Sequence, residues 1–549
     1  MLRAAISRLA QRPALAMGLL FAAGVAFTAL PSLRYGPPLP ALHDEYADLF
    51  LGETLARGRL TNPPPPGPPE FYQTFHEFIS PRYVSKFPPG PGIALALGIW
   101  LGNPILGVWL VNGLWAVALY WMLRAVVSPG WALGGALAGV ISYGAMSYWG
   151  YSYWGGSVFA LGGTLAFGGA LRCWKKRGNS LGAAVWAGVG CGIMALTRPL
   201  DGLIFALGPA GMMLWTAWRD LRIGGGVKIA RSRILGFGLP AAAGVALMLG
   251  YNVATTGSAL TFAHRLYDET FLPRVVLFVW EKPGHDPANQ PAFLANYEDV
   301  YATNMSADPL TATQYWANLQ KFAAAQFHFL FPNWVWPLAI FAVGAIFFAR
   351  DRTARLALLS LLCIALPLCT LRYYDFSHYV AAWTAPALLL TIQGARRLRA
   401  WGHSIGPGLP CLGCVACALL VAWPTIATVR ELTRGYPQWL QFKWVYDREQ
   451  TRQELADLAQ QTGHKQLALV IYAPGHDPHA EWVYNSPEPS AQDVLWLRAL
   501  GQSRVPELLN EFPGYDDWLV YVTAEGKIDH REKIQFVVGA APAPASSAK

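Results

Sequence analysis

The stretch His43-Asp44-Glu45-Tyr46 carries two adjacent acids. Such a pair can supply a general base for a hydroxyl proton, or oxygen ligands for a divalent cation. At the start of a helix the same acids would complement its dipole. Cations that can meet an anion are Lys86, within Ser85-Lys86-Phe87-Pro88-Pro89-Gly90, and Arg198, beside the helix-breaking Pro199. Lys86 can equally sit among lipid headgroups. Arg372, in Leu371-Arg372-Tyr373-Tyr374-Asp375-Phe376-Ser377-His378-Tyr379, repeats the combination of cation, aromatics and histidine. The aromatic run from Tyr148 to Trp154, with Tyr153 and Trp154 at its end, suits either stacking on a sugar ring or an interfacial belt. His476 and His479 flank Asp477 and can ligate a metal, although their spacing fits neither one helix face nor a zinc motif.

The elements that must position these residues are set by composition. Of 549 residues, 54% are apolar and 14% charged. A soluble domain carries about a quarter charged residues, so an ordinary cytosolic enzyme is excluded. A bilayer core takes about 20 apolar residues per helix. Such runs stand near 13–33, 104–125, 131–149, 153–171, 181–197, 202–217, 234–252, 334–349, 356–370, 378–394 and 407–427, about eleven spans in all. The first resembles a signal peptide, with Arg3, Arg8 and Arg12 ahead of it, but its length and the spans that follow favour an uncleaved anchor.

Lys and Arg then fix the threading, because they are retained in cytoplasmic loops. Arg124, Arg172 to Arg177, Arg219 to Arg233, Arg350 to Arg355 and Arg396 to Arg399 all fall on one side with the N-terminus. The short connections opposite hold only Arg198 and Arg372. The net charge of +9 is therefore mainly a topology signal, and a nucleic-acid partner is not expected. Segments 34–103, 253–333 and about 430–549 emerge on the outer face, with amphipathic helices in the outer loops. Residues 1–430 are expected to form a membrane domain and 431–549 a soluble, non-cytoplasmic α/β domain. In that domain strands are expected at 466–472 and 518–522 and helices at 491–500 and 506–511.

Several patterns fail on context. Gly178-Asn179-Ser180-Leu181-Gly182 matches a nucleophile elbow but enters a span with no strand before it. Gly188, Gly190 and Gly192 lie within a span, where small residues allow close packing. Cys411, Cys414 and Cys417 lie in an apolar run and are read as packing residues. Few ionisable residues lie inside the spans, which disfavours an ion-driven transporter.

Taken together, these residues resemble the GT-C superfamily of membrane glycosyltransferases, on the branch of the protein O-mannosyltransferases and lipid A aminoarabinose transferases, similar to bacterial glycosyltransferase family 39. The resemblance rests on the acidic pair after the first span, Ser85 to Gly90, Tyr153-Trp154-Gly155-Gly156, Thr197-Arg198-Pro199 and His378-Tyr379. It implies a polytopic helical enzyme of a bacterial inner membrane. Such an enzyme moves a sugar from a polyprenyl-phosphate donor to a hydroxyl of an envelope acceptor at the periplasmic face. It further implies Asp44 as base or metal ligand with Glu45 in support, Lys86, Arg198 and Arg372 as phosphate-holding cations, and His378 as a hydrogen-bond donor. The competing reading is a non-catalytic polyprenyl-lipid transporter or flippase.

Overall fold

The computed structural model describes residues 9, 11–145, 147–175, 180–222, 226–282, 284, 293–295, 297, 311–330, 335–346, 351–372, 376–405, 411–434, 443–501 and 504–534. They divide into two compact units, one of 1–40, 44–61 and 84–441, the other of 41–43, 62–83 and 442–549. The second unit thus takes in residues 62–83, part of the expected outer segment 34–103.

The first unit is helical. Its elements are α1 (Pro13–Tyr35), α2 (His43–Ala56), α3 (Pro89–Trp100), α4 (Pro104–Leu123), α5 (Pro129–Gly139), α6 (Gly156–Lys175), α7 (Leu181–Thr197), α8 (Pro199–Leu221), α9 (Val227–Thr256) and α10 (Ala263–Phe271). They continue as α11 (Ala312–Leu330), α12 (Val335–Ile346), α13 (Arg352–Leu368), α14 (Thr384–Ile405) and α15 (Cys411–Arg434). Proline opens α1, α3, α4, α5 and α8, where its fixed φ suits the helix and its missing N–H costs nothing. Asn103 caps α4, its Oδ1 accepting the Ile105 N–H at 3.1 Å.

Helices stand at every expected span, but among the described residues four are long and apolar enough to cross a membrane unaided: α1, α4, α8 and α9. The run at 131–149 is shorter as a helix than its hydropathy suggests, because α5 gives way to a π-helical turn at Val140–Ala145. α7 packs between α6 and α9 through its glycines. A Cβ on Gly188 would lie 2.1 Å from the Phe237 carbonyl oxygen, and one on Gly190 2.4 Å from the Ala166 nitrogen. Backbone approaches backbone here, the packing expected of small residues in membrane helices. The side chains of Cys411, Cys414 and Cys417 lie outside the described ones.

The second unit contains α16 (Lys443–Thr462), α17 (Val505–Glu511) and strands β1 (Gln466–Tyr472), β2 (Val494–Arg498), β3 (Asp516–Val522) and β4 (Ile528–Lys533). The sheet order is β2-β1-β3-β4, with β1 parallel to β2 and β3, and β3 antiparallel to β4. The expected helix at 491–500 is therefore corrected to a strand. A short apolar run buried at every position reads alike as helix or strand, and Val494-Leu495-Trp496-Leu497 is such a run. Leu455 of α16 packs with Ala468, Val470, Trp482, Trp496 and Val520 to form the core.

Candidate functional site

Successive residues on a helix point about 100° apart, whereas i and i+4 share a face. On α2 this separates the expected pair Asp44 and Glu45. Glu45 is 1% exposed, and its Oε1 accepts the Tyr153 backbone N–H at 3.1 Å. Asp44 instead shares its face with Asp48, which the sequence reading passed over. Asp48 is 3% exposed, and among the described residues its Oδ1 has no hydrogen-bond partner. The clue in sequence was its spacing from Asp44 on an amphipathic helix.

Both aspartates lie in the field of Arg198. Burial raises the Asp44 carboxyl above its usual range, against the lowering charges of Lys86, Arg198 and His264. Burial also pushes Asp48 well up, joined by the Asp44 and Glu45 charges and opposed by Arg198. Both carboxyls are thus raised by burial, and in both the Arg198 charge opposes the rise.

Arg198 ends α7 and begins α8, followed at once by Pro199. Its Nη1 lies 3.4 Å from Asp201 Oδ2, and its guanidinium stacks 4.1 Å from the Tyr379 ring centroid. Beside Tyr379, His378 is buried; its Nδ1 lies 2.7 Å from the Tyr148 hydroxyl, which also accepts its backbone N–H at 3.0 Å. Trp154 packs on His378 at a 4.7 Å ring separation. Asp44, Arg198, His378 and Trp154 therefore belong to one region of the first unit.

Lys86 is 6% exposed, with its Nζ 3.3 Å from Asp268 Oδ1 and 4.9 Å from the Tyr267 ring centroid. The other oxygen of Asp268 meets His264 Nδ1 at 3.1 Å. Burial raises the Asp268 carboxyl, but Lys86 and His264 outweigh it and hold the group at about 2.

Other expected site residues make bonds of their own. Tyr153 gives its N–H to Glu45 and its hydroxyl to the Pro38 carbonyl at 3.0 Å, so it ties segments together. Arg372 is 3% exposed and donates from Nε and Nη2 to the carbonyls of Phe278 and Glu281, at 3.3 and 3.0 Å. Both of these bonds go to main-chain oxygens. In the second unit both ring nitrogens of His476 face carbonyls, Thr523 at 2.9 Å and Ala480 at 3.1 Å, while the His479 ring stacks on His43 at 5.7 Å. Among the described residues no group of three or more His, Cys, Asp or Glu is placed to hold a metal. The Ser180 hydroxyl accepts from Arg233 Nε at 2.8 Å in a buried network with Asp220.

An ionisable base, an arginine set against it and a buried lysine can take a proton from a hydroxyl next to an anion. No family model and no curated protein matches the chain. Among solved structures, it is similar to the Archaeoglobus fulgidus oligosaccharyltransferase in the apo form, at 12% identity over 92% of this chain and 69% of that one, with a TM-score of 0.43. It is also similar to ArnT from Cupriavidus metallidurans bound to undecaprenyl phosphate, at 14% identity over 92% of each chain, with a TM-score of 0.47.

Proposed function

We propose that the chain is a membrane glycosyltransferase of the GT-C type, moving a sugar from a polyprenyl-phosphate donor to a hydroxyl of an envelope acceptor at the outer face of a bacterial inner membrane. The proposal includes about eleven spans, a cytoplasmic N-terminus and a periplasmic C-terminal domain. The observation that carries it is the shared placement of Asp44 and Arg198, with Lys86 contributing to the same field. Asp44 takes the acceptor proton as the acceptor oxygen attacks the anomeric carbon. The bond to the phosphate oxygen breaks, and the polyprenyl phosphate leaves with one more negative charge than it had in the donor. Arg198 and Lys86 stabilise that developing charge.

The test is transfer of radiolabelled sugar from a polyprenyl-phosphate donor by purified protein in lipid nanodiscs. Asp44→Asn is expected to insert normally and to lose transfer by at least about a hundredfold, the scale of a general base. Normal transfer by that variant would sink the assignment. Lipid translocation without transfer, unchanged in Asp44→Asn, would favour the flippase reading.

A further inference from the structure

Lys86 is enclosed. Its side chain is 6% exposed, and its ammonium faces the Tyr267 ring at 4.9 Å and the Phe87 ring at 5.7 Å and meets Asp268 at 3.3 Å. Neither aromatic ring competes for an anion. Asp268 does, and His264, one helical turn before it on α10, holds its second oxygen at 3.1 Å. Of α10, only Ala263 and Tyr267 are buried among all its residues, and the helix has nine residues in total. It is anchored by an aromatic plug and an ion pair.

We propose that Asp268 is a specificity residue, a resident anion that a phosphate must displace from Lys86 and that keeps ordinary phospholipid headgroups off the lysine. This rests on the reading of Lys86 as a phosphate ligand. A lysine at a membrane surface is surrounded by phosphodiester lipids at high local concentration. Open, it would bind them at random. Partnered by a carboxylate, it exchanges only for a ligand with further binding contacts, or for a phosphate that has gained a second charge. A sugar donor satisfies the first condition, and the polyprenyl phosphate released by transfer satisfies the second. The apparent affinity for phosphate is lowered by the fraction of Lys86 that Asp268 occupies.

The experiment uses the full chain in zwitterionic nanodiscs and measures binding of undecaprenyl phosphate, with phosphatidylglycerol and inorganic phosphate as separate competitors. Asp268→Asn is expected to bind undecaprenyl phosphate about fivefold or more tighter, and to become sensitive to phosphatidylglycerol where the unmodified protein is not. His264→Gln, at a position 51% exposed, is expected to move affinity the same way by a smaller factor, and it guards against misfolding of the first variant. Competition by inorganic phosphate in the unmodified protein would assign the site to free phosphate as well as lipid phosphate and would still support exchange. Unchanged or weaker binding in both variants overturns the proposal. Lys86→Met separates the two readings. If it binds undecaprenyl phosphate normally, the phosphate role of Lys86 fails; if it loses binding while the Asp268 and His264 variants change nothing, only the displacement fails.

Discussion

Glu45 Oε1 accepts the Tyr153 backbone N–H at 3.1 Å, so the acid next to Asp44 in sequence faces another way in space. Glu45→Gln keeps an acceptor oxygen, and transfer is expected to stay within about threefold of the unmodified protein. Glu45→Ala leaves a buried N–H unpaired, which costs about 1–3 kcal/mol. A thermal melt should register that loss. If Glu45→Gln lost as much activity as Asp44→Asn, Glu45 would have to be a catalytic group.

As the proposed base Asp44 must be ionised, and burial raises its folded pKa. Transfer should therefore decline as pH falls through a value above the ordinary aspartate range of about 3.9. If Asp48 is neutral in the working enzyme, Asp48→Asn should leave that acid limb in place. A downward move of the limb in this variant would mean that Asp48 is charged in the working enzyme. The full pH profile of kcat/KM supplies the answer.

Arg198 lowers the pKa of Asp44 and stacks on Tyr379 at 4.1 Å. Arg198→Ala should cut transfer by about a hundredfold or more and shift the acid limb to higher pH. Arg198→Lys should recover the position of the limb but little of the rate, since lysine cannot reproduce the planar stack. Recovery of full rate by lysine would show that point charge alone matters.

Arg372 donates to two main-chain carbonyls, Phe278 and Glu281. Arg372→Ala should lower the melting temperature and leave affinity for undecaprenyl phosphate unchanged. A selective loss of lipid affinity at normal stability would make it a phosphate ligand.

In the second unit Glu481, 2% exposed, pairs with Arg498 and also accepts the Trp482 and Val483 N–H groups, each at 2.9 Å. Breaking a buried pair from one side costs about 3–5 kcal/mol. Arg498→Met should thus destabilise strongly. The added change Glu481→Gln should recover part of the loss, because it removes the stranded charge. Additive losses in a double-mutant cycle of melting free energies would show that the pair is not coupled.

Much of the first unit was legible because apolar runs long enough to matter announce helices, and prolines mark where five of them start. The limit was orientation around the helix axis. Adjacency suggested Asp44 with Glu45, whereas helical phase joins Asp44 to Asp48. Arg372 was singled out by scarcity of charge, a criterion that cannot tell a ligand from a clamp on main chain. Asp268 was hidden because its meaning depends on Lys86, 182 positions away. The strand at Val494–Arg498 was missed because both faces are buried, which erases the alternation that identifies strands.

Arg198 is at once the last cap of α7 and the first cap of α8. The joint has no slack. Its guanidinium leaves the chain at the residue the two helices share and rests on the Tyr379 ring. Length variation is therefore forbidden at this joint, where one inserted residue would turn α8 by about 100° relative to α7. Between Gly257 and α10 the chain has several residues that can absorb such a change. Among relatives of this chain, loops around the site should drift in length while the distance from Thr197 to Asp201 stays constant.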